Sequence, residues 1–178
     1  KELKHQEHDV AIISNGGVYV PEITAAGIRH YKAPLHLRSF GPMYRARKIL
    51  REVIQKEHPD VVHAHARIPA FLCGTLQRQL KFPFVTTAHW VFDTSGALRY
   101  LTDWGQRTVA VSEDIKAYLI REYHLPAEHI TVTINGIDTD KFSPQVSAQK
   151  VMEEFGLKAD QPILSYVSRM DEDRALVA

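Results

Sequence analysis

The stretch VTINGIDTDKFSP, residues 132–144, leads from an apolar β-branched segment through a tight turn into a polar loop. The run from Ile130 to Ile134 predicts a buried strand, since β-branched residues pack well on a pleated surface. Asn135-Gly136 predicts the turn, because glycine lets the backbone approach another group closely. An Asn-Gly turn is common, so this stretch gains a functional meaning only together with the sequence on either side of it.

The segment after the turn predicts a domain boundary. The loop Ser143 to Gln145 precedes a helix predicted over Ala148 to Phe155, and Gly156 is placed to close that helix. We therefore expect a first domain over residues 1–144 and the beginning of a second over residues 145–178, which is too short for a domain of its own.

Before the turn, short apolar runs alternate with amphipathic stretches of helix length. This pattern is typical of βαβ units, and it predicts an α/β, Rossmann-like fold with a mostly parallel sheet and helices on both faces. Six strands are predicted: Val10 to Ser14, Val61 to His65, Phe84 to Ala88, Thr108 to Val111, Ile130 to Ile134 and Ile163 to Val167.

Two of the helices can be placed from their own sequence. The apolar stripe that includes Leu50 and Ile54 predicts a helix that ends near Glu57, because Pro59 disfavours helical geometry in the residue before it. Ser112 is predicted to cap the helix EDIKAYLIREY, whose Ile115, Leu119 and Ile120 are expected to face the sheet.

The amino-acid composition is typical of a globular protein and gives information about its partners. The chain has 178 residues, of which 44% are hydrophobic, enough for one well-packed domain. Its 22 Lys and Arg nearly balance 21 Asp and Glu, which gives no reason to expect nucleic-acid binding. The single cysteine, Cys73, excludes an internal disulfide and a cysteine-based metal cluster, favours a reducing cytoplasm, and is expected to fill the core.

We expect any membrane contact to be peripheral. No apolar run approaches the ~20 residues that span a bilayer, and the charged start KELKHQEHD is unlike a signal peptide. Charge is nevertheless uneven, since the segment between Glu22 and Glu52 has no acidic residue and attracts anions such as lipid head groups or phosphates. The basic residues of this segment are Arg29, Lys32, Arg38, Arg45, Arg47, Lys48 and Arg51.

Polar side chains follow two of the predicted strands, where ligands of open α/β sheets bind. In DVVHAH, the alternation of a strand puts His63 and His65 on one face. Such a pair can hold a metal, but the favoured interpretation is that one ring is packed and hydrogen-bonded while the other lines a cleft. In TTAHW, His89 can donate to a hydroxyl or phosphate oxygen and Trp90 can stack on a sugar, or both are structural.

The whole string VTINGIDTDKFSP resembles the V-x-N-G-x-D-x-x-x-F-x-P linker of a large glycosyltransferase family. That family includes glycogen synthases, sucrose synthases and bacterial mannosyl- and glucosyltransferases. EHDVAIIS, DVVHAH and FPFVTTAHW are similar to three earlier signatures of the family, RTVAVSEDIKAYL to its V-A-V-S segment, and PILSYVSRM to the strand that opens its second domain. The six matches occur in the family's order and cover nearly the whole chain.

The resemblance implies one half of a GT-B fold, in which two Rossmann-like domains face each other. The first domain holds the acceptor and the second holds a nucleotide-sugar donor, whose sugar is transferred with retention at the anomeric carbon. The resemblance implies that His89 contacts the transferred sugar, that Asn135 and Gly136 approach the donor, and that Arg169 and Arg174 bind its pyrophosphate. Arg174 replaces the family's Lys and keeps the charge. No divalent metal or other cofactor is implied.

Acceptor contacts are expected from His65, Arg67 and Trp90. The helix that carries Arg45, Arg47, Lys48 and Arg51 either lies on an anionic membrane on the cytoplasmic side, as in many family members, or is a solvated helix face.

The family's first strand and its Gly-rich loop are expected upstream of Lys1, and its donor-binding Glu pair beyond Ala178. Residues 1–178 alone are therefore expected to bind donor weakly and to turn over little. Because the family's first strand lies in the middle of the sheet, the sheet is either poorly closed or completed by another strand or chain through self-association.

Two other classes of protein compete with a transferase. One is a carbohydrate- or nucleotide-binding domain without catalysis. Loss of the Glu pair from the second domain of the complete protein would favour this alternative. The other is a dinucleotide-dependent oxidoreductase, since the fold type is shared. The sequence contains no G-x-G-x-x-G followed by an acidic residue, which counts against the oxidoreductase.

Overall fold

The computed structural model describes residues 2–91, 102–158 and 160–165. The chain divides into two compact units, Lys1–Asn135 and Gly136–Ala178. The first contains α1 (Glu2–His5), β1 (Ala11–Ser14), α2 (Val20–Ala25), β2 (Arg29–Lys32), α3 (Phe40–Glu57), β3 (Val62–Ala64), α4 (Arg67–Leu80), β4 (Phe84–Ala88), β5 (Arg107–Ala110), α5 (Glu113–Tyr123), a 3-10 turn (Ala127–His129) and β6 (Ile130–Val132). The second contains α6 (Gln149–Phe155).

All strand pairs in the described residues are parallel. β1 pairs with β2, and β3, β4, β5 and β6 form a second sheet in that order. Helices α2, α3, α4 and α5 lie in the connections β1–β2, β2–β3, β3–β4 and β5–β6, and parallel strands need crossover connections of this kind. The predicted α/β, Rossmann-like class is confirmed.

The strands form two separate sheets within the described residues. β1 is paired only with β2, and β3 only with β4, so each has one edge without a strand partner in this part of the chain. The backbone N–H of Arg29 donates to the carbonyl oxygen of Val10, and that of Ala33 donates to Ser14. Because backbone groups alternate in direction along a strand, those of Ala11 and Ile13 point to the opposite, open edge of β1. An open edge offers its N–H and C=O groups to a further strand.

Two hydrophobic clusters hold the first unit together. In one, α3 and α4 pack on β3 and β4, with Leu76 and Phe84 almost completely buried. In the other, α5 packs on β5 and β6 around Leu119. Each fully buried side chain of this size contributes about 1.5–3 kcal/mol to folding. Cys73 lies in the first cluster, as predicted, and burial followed by the negative charge of Asp103 raises the pKa of its thiol to about 12.

The helix ends follow the sequence signals. α3 ends at Glu57, as predicted, and His58 closes it in the left-handed conformation with its backbone N–H donating to Ile54. The Ser112 hydroxyl accepts the backbone N–H of Ile115 at 3.2 Å, which confirms the predicted cap of α5. α6 ends at Phe155, and Gly156 takes the left-handed conformation at φ 60°.

Several predicted features need correction. Residues 163–165 of the strand predicted over Ile163 to Val167 are irregular, and the rest of that run lies outside the described residues. Ile120 is 37% exposed, unlike the buried Ile115 and Leu119, because it lies on the outer side of α5. β2 and α4 were not predicted, although each of them positions residues that matter below.

Candidate functional site

The carboxyl ends of β3 and β4 bring three histidines together. Nε2 of His63 lies 2.7 Å from the Thr87 hydroxyl, and Nδ1 of His65 lies 3.1 Å from Nε2 of His89. Each contact joins residues 24 positions apart. The strand register pairs residues 22 positions apart, as in Ala64 with Thr86, so each histidine reaches the next side chain on the same face of β4, two residues further along. These four side chains therefore form a row on one face of the sheet, at the carboxyl ends of β3 and β4, which we call the polar ladder: His63, Thr87, His65 and His89.

The three rings also follow one another in close contact, tilted between His63 and His65 and stacked between His65 and His89. The ring centroids of His63 and His65 are 4.1 Å apart, and those of His65 and His89 are 5.4 Å apart. Burial, followed by the neighbouring charges of His65 and His89, lowers the pKa of His63 to about 4. Burial and then His89 also lower the pKa of His65. His63 is consequently neutral at physiological pH, and the pKa of His65 is displaced in the same direction.

Trp90 lies next to this ladder and is 60% exposed. This exposure contradicts the alternative in which Trp90 is a core residue. An exposed indole offers a flat apolar face of the kind on which sugar rings and bases stack.

Arg67 begins α4, just after the end of β3. Its Nε donates to the Thr102 hydroxyl at 3.0 Å, so the guanidinium is held across the start of the helix. Beneath it lies a cavity of about 10 Å³, lined by Ala64, Ala66, Arg67, Ala70, Thr86, Thr87, Thr102 and Trp104. This volume suits about one water molecule and is too small for a ring-sized ligand.

Asn135 and Gly136 lie in the exposed segment after β6. A side chain added at Gly136 meets nothing within 4 Å. Further along, an oxygen of the Asp138 carboxylate accepts the backbone N–H groups of Asp140 at 3.2 Å and Lys141 at 2.9 Å. This closes the loop as a turn that any Asp or Asn side chain can form.

Of the residues predicted from sequence, His65 and His89 are in contact, and Arg67 and Trp90 belong to the same strand ends. Arg169 and Arg174 lie outside the described residues. Thr87 was missed as a partner of His63. Its signal was present in TTAHW, because strand alternation puts Thr87 on the face of His89.

The basic residues of α3 divide into two groups. Arg47 donates to the Thr75 hydroxyl at 3.1 Å, and Arg51 donates to the Gln79 side chain, so both tie α3 to α4. Arg45 and Lys48 are exposed, and Lys48 lies 3.9 Å from Glu52 in a surface ion pair.

Two aromatic rings lie near the exposed basic residues of α3. Phe40 is 87% exposed and Tyr44 is 64% exposed, and with Lys48 they recur every four residues along one side of the helix. We call Phe40, Tyr44, Arg45 and Lys48 the α3 patch.

Metal-binding groups and membrane-spanning helices are both absent from the described ranges, 2–91, 102–158 and 160–165. No three His, Cys, Asp or Glu side chains in them are grouped so as to hold a metal ion. No helix in them is both long and apolar enough to cross a bilayer.

Comparison with known proteins adds independent findings. The family model described as Glycosyltransferase Family 4 matches residues 1–141. An N-acetyl-alpha-D-glucosaminyl L-malate synthase of Bacillus anthracis is 25% identical over 94% of this chain and 48% of its own length. A UDP-Gal:alpha-D-GlcNAc-diphosphoundecaprenol alpha-1,3-galactosyltransferase of Escherichia coli is 21% identical over 94% of this chain and 47% of its own. The chain thus spans about half the length of the curated relatives it matches.

A solved structure has the same fold. The crystal structure of a glycosyltransferase from Rickettsia africae superposes with a TM-score of 0.65 at 24% identity, over 90% of this chain and 45% of that one. At this level of identity the similarity bears on the fold.

Proposed function

The chain belongs to Glycosyltransferase Family 4, and we propose that the protein transfers a sugar from a nucleoside-diphosphate sugar to an acceptor, with retention at the anomeric carbon. The observation that carries this proposal is the contact of His65 with His89 at the carboxyl ends of β3 and β4, beside the exposed ring of Trp90. Polar groups and a stacking surface at this edge of a parallel sheet suit a carbohydrate ligand.

In the proposed reaction, His89 contacts the transferred sugar and favours its oxocarbenium-like transition state. The bond from the anomeric carbon to the diphosphate oxygen breaks, the acceptor hydroxyl gives its proton to the departing diphosphate, and the acceptor oxygen forms a new bond on the same face of the sugar. Arg169 and Arg174 neutralise the departing diphosphate, which is the main electrostatic task of such a transfer. Asn135 and Gly136 approach the donor, where a glycine leaves the backbone accessible.

The acceptor is assigned to the side of His65, Arg67 and Trp90. Trp90 provides a face for stacking, and Arg67 provides a fixed cation for an acceptor that carries a carboxylate or phosphate. One curated relative is named for L-malate and another for a diphosphoundecaprenol acceptor, and both acceptors are anionic.

UDP-sugars are the first donors to test, because UDP-galactose is in the name of the Escherichia coli relative. We propose that transfer needs no divalent metal. Activity should then persist in a chelator, whereas activity that a chelator abolishes and magnesium restores would contradict this part of the proposal.

The test of the reaction is nucleotide release by the complete protein from UDP-, GDP- and ADP-sugars in the presence of candidate acceptors. We expect release from one donor class, and an anomeric proton coupling in the product spectrum that matches the donor. Inversion of that coupling would refute retention. Donor binding without release from any donor would favour the non-catalytic binding domain instead.

We also propose that the protein lies on the cytoplasmic face of an anionic membrane through the α3 patch. Its two basic residues, Arg45 and Lys48, lie beside exposed aromatic rings, a combination typical of interfacial helices, and the surface ion pair of Lys48 with Glu52 is long at 3.9 Å. Arg47 and Arg51 contribute less than the sequence suggested, because both donate to α4.

Vesicle co-sedimentation tests this contact. The double change Arg45→Gln and Lys48→Gln should weaken binding to phosphatidylglycerol vesicles by about 30-fold, since each basic residue near the surface is worth ~1 kcal/mol. Arg47→Gln is the matched control and should leave binding nearly unchanged. Wild-type protein that stays in the supernatant at low salt would remove the proposal.

The open edges of β1 and β3 support a proposal of self-association of residues 1–178. Light scattering after size exclusion should then show a concentration-dependent dimer. Ala11→Pro removes an exposed N–H from the open edge of β1 and should lower the dimer fraction. A monomer at every concentration would contradict this proposal.

A further inference from the structure

His65 and His89 are joined through two ring nitrogens. Nδ1 of His65 lies 3.1 Å from Nε2 of His89, which is a hydrogen-bonding distance. Such a bond needs a hydrogen on one nitrogen and a lone pair on the other. When both rings are neutral, either His65 donates from Nδ1 or His89 donates from Nε2.

The surroundings of His65 favour its neutral form. The ring centroid of His63 lies 4.1 Å from that of His65. A positive charge on His65 is disfavoured by the burial of its ring and by the neighbouring ring of His89. The lowered pKa values of His63 and His65 agree with this geometry.

Imidazole chemistry decides between the two neutral arrangements. A neutral histidine side chain favours the tautomer with its hydrogen on Nε2. If His89 donates from Nε2, both rings have this favoured tautomer, since Nδ1 of His65 is then the acceptor. If His65 donates from Nδ1, both rings must have the less favoured one.

We propose that His65 is a positioning residue, whose Nδ1 accepts the Nε2–H of His89, fixes the ring plane of His89 and leaves the Nδ1 lone pair of His89 for a substrate hydroxyl. Nδ1 of His89 makes no hydrogen bond with the residues that the structure describes, so it is available to a ligand. The group it recognises is then an O–H donor, such as a sugar hydroxyl.

This arrangement gives the two histidines different tasks. His89 meets the substrate, and His65 acts through His89, much as a carboxylate orients a catalytic imidazole elsewhere. The assignment of the hydroxyl to a sugar rests on the proposed function. The tautomer does not, because it is a property of the chain without substrate.

The test is a long-range ¹H–¹⁵N correlation spectrum of the histidine rings of the chain near neutral pH. We expect the His89 signals to show a protonated Nε2 and an unprotonated Nδ1. A hydrogen on Nδ1 of His89, or signals averaged over both tautomers, would overturn the proposal.

Three variants separate positioning from general packing. His65→Asn places an amide oxygen near the former Nδ1 and should keep the His89 pattern, whereas His65→Leu should give averaged signals. His63→Gln is the control and should leave the His89 pattern unchanged, because His63 bonds Thr87 instead. A wild-type pattern in His65→Leu, or a lost pattern in His65→Asn, would contradict the positioning role.

Activity measurements on the complete protein tell the two proposals apart. If transfer occurs, His65→Leu should lower kcat at least ~10-fold with a smaller change in KM, and His65→Asn should recover part of it. If no donor is turned over while the tautomer is as expected, the proposed function fails and the positioning role stands.

Discussion

Gly105 has a φ of 69°, and a side chain added there would lie 2.6 Å from the carbonyl oxygen of Phe84. Only glycine combines this backbone angle with so close an approach to β4. Gly105→Ala should therefore lower the free energy of unfolding by about 1–3 kcal/mol, measured by urea denaturation.

A matched glycine provides the control. Gly41 lies in α3, and an added side chain there meets nothing within 4 Å. Gly41→Ala should leave stability unchanged or raise it by up to ~1 kcal/mol. Equal losses in both variants would contradict the role given to Gly105.

Arg29 connects two carboxylates that should make stability depend on pH. It donates to Asp9 and to Glu57, and the Tyr31 hydroxyl also donates to Glu57. The hydrogen bond from Tyr31, and then that from Arg29, lower the pKa of Glu57 below its ordinary 4.5, and the hydrogen bond from Arg29 lowers the pKa of Asp9 below its ordinary 3.8. A lowered pKa contributes stability that is present above the ordinary value and is lost as the pH falls toward the folded value.

Urea denaturation from pH 7 to pH 3 tests this network. Wild-type stability should fall below about pH 4.5, and Arg29→Met should flatten that part of the curve. Lys48→Met is the control, since its ion pair with Glu52 is exposed and long at 3.9 Å. An unchanged acid limb in Arg29→Met would refute the account.

At the residue scale, the sequence predicted the face of the histidines but not their partners. Strand alternation alone put His63 beside His65, and an apolar strand ending in a polar tip identified His89. The contact of His65 with His89 also requires the register between β3 and β4, which neither segment contains by itself. For the same reason, the sequence did not predict the bond of His63 to Thr87 or that of Arg67 to Thr102.

Helix α5 allows its cap to be tested at the scale of an element. The Ser112 hydroxyl accepts the N–H of Ile115, whereas Ser39, the residue before α3, makes no such side-chain bond. Ser112→Ala should cost about 1 kcal/mol of stability, and Ser39→Ala clearly less. Similar losses in the two variants, measured by thermal or urea denaturation, would argue against a specific cap at Ser112.

Two elements, β2 and α4, were not predicted because their sequences contain residues that are unusual in a buried strand or in a helix. β2 has the sequence RHYK, with charges in place of an apolar run, because Arg29 and Tyr31 bind Asp9 and Glu57 rather than a core. α4 contains Pro69 and Gly74, which usually indicate a break. Pro69 lies in the first turn, where a missing N–H does no harm, and a side chain at Gly74 would collide with Asp103.

At the scale of the molecule, the parallel α/β class was predictable because it depends on the alternation of apolar runs with amphipathic helices. The family resemblance predicted a sheet that is poorly closed or completed by another strand, but the division of the described strands into two sheets was not predicted, since periodicity does not give strand order. The roles of Asn135, Gly136, Arg169 and Arg174 toward a donor remain predictions of that resemblance. The acceptor and the sugar depend on loop shapes that no local pattern contains.

The central claim is that the polar ladder at the ends of β3 and β4 takes part in sugar transfer through His89. The substitution His89→Ala in the complete protein tests this claim most directly. Nucleotide release from the preferred donor should fall at least ~100-fold, since a lost transition-state contact is worth a few kcal/mol. His58→Asn is the control, because His58 is exposed before the amino end of β3, on the opposite edge of the sheet, and Asn tolerates its left-handed backbone. Folded His89→Ala protein that releases nucleotide at the wild-type rate would contradict the account.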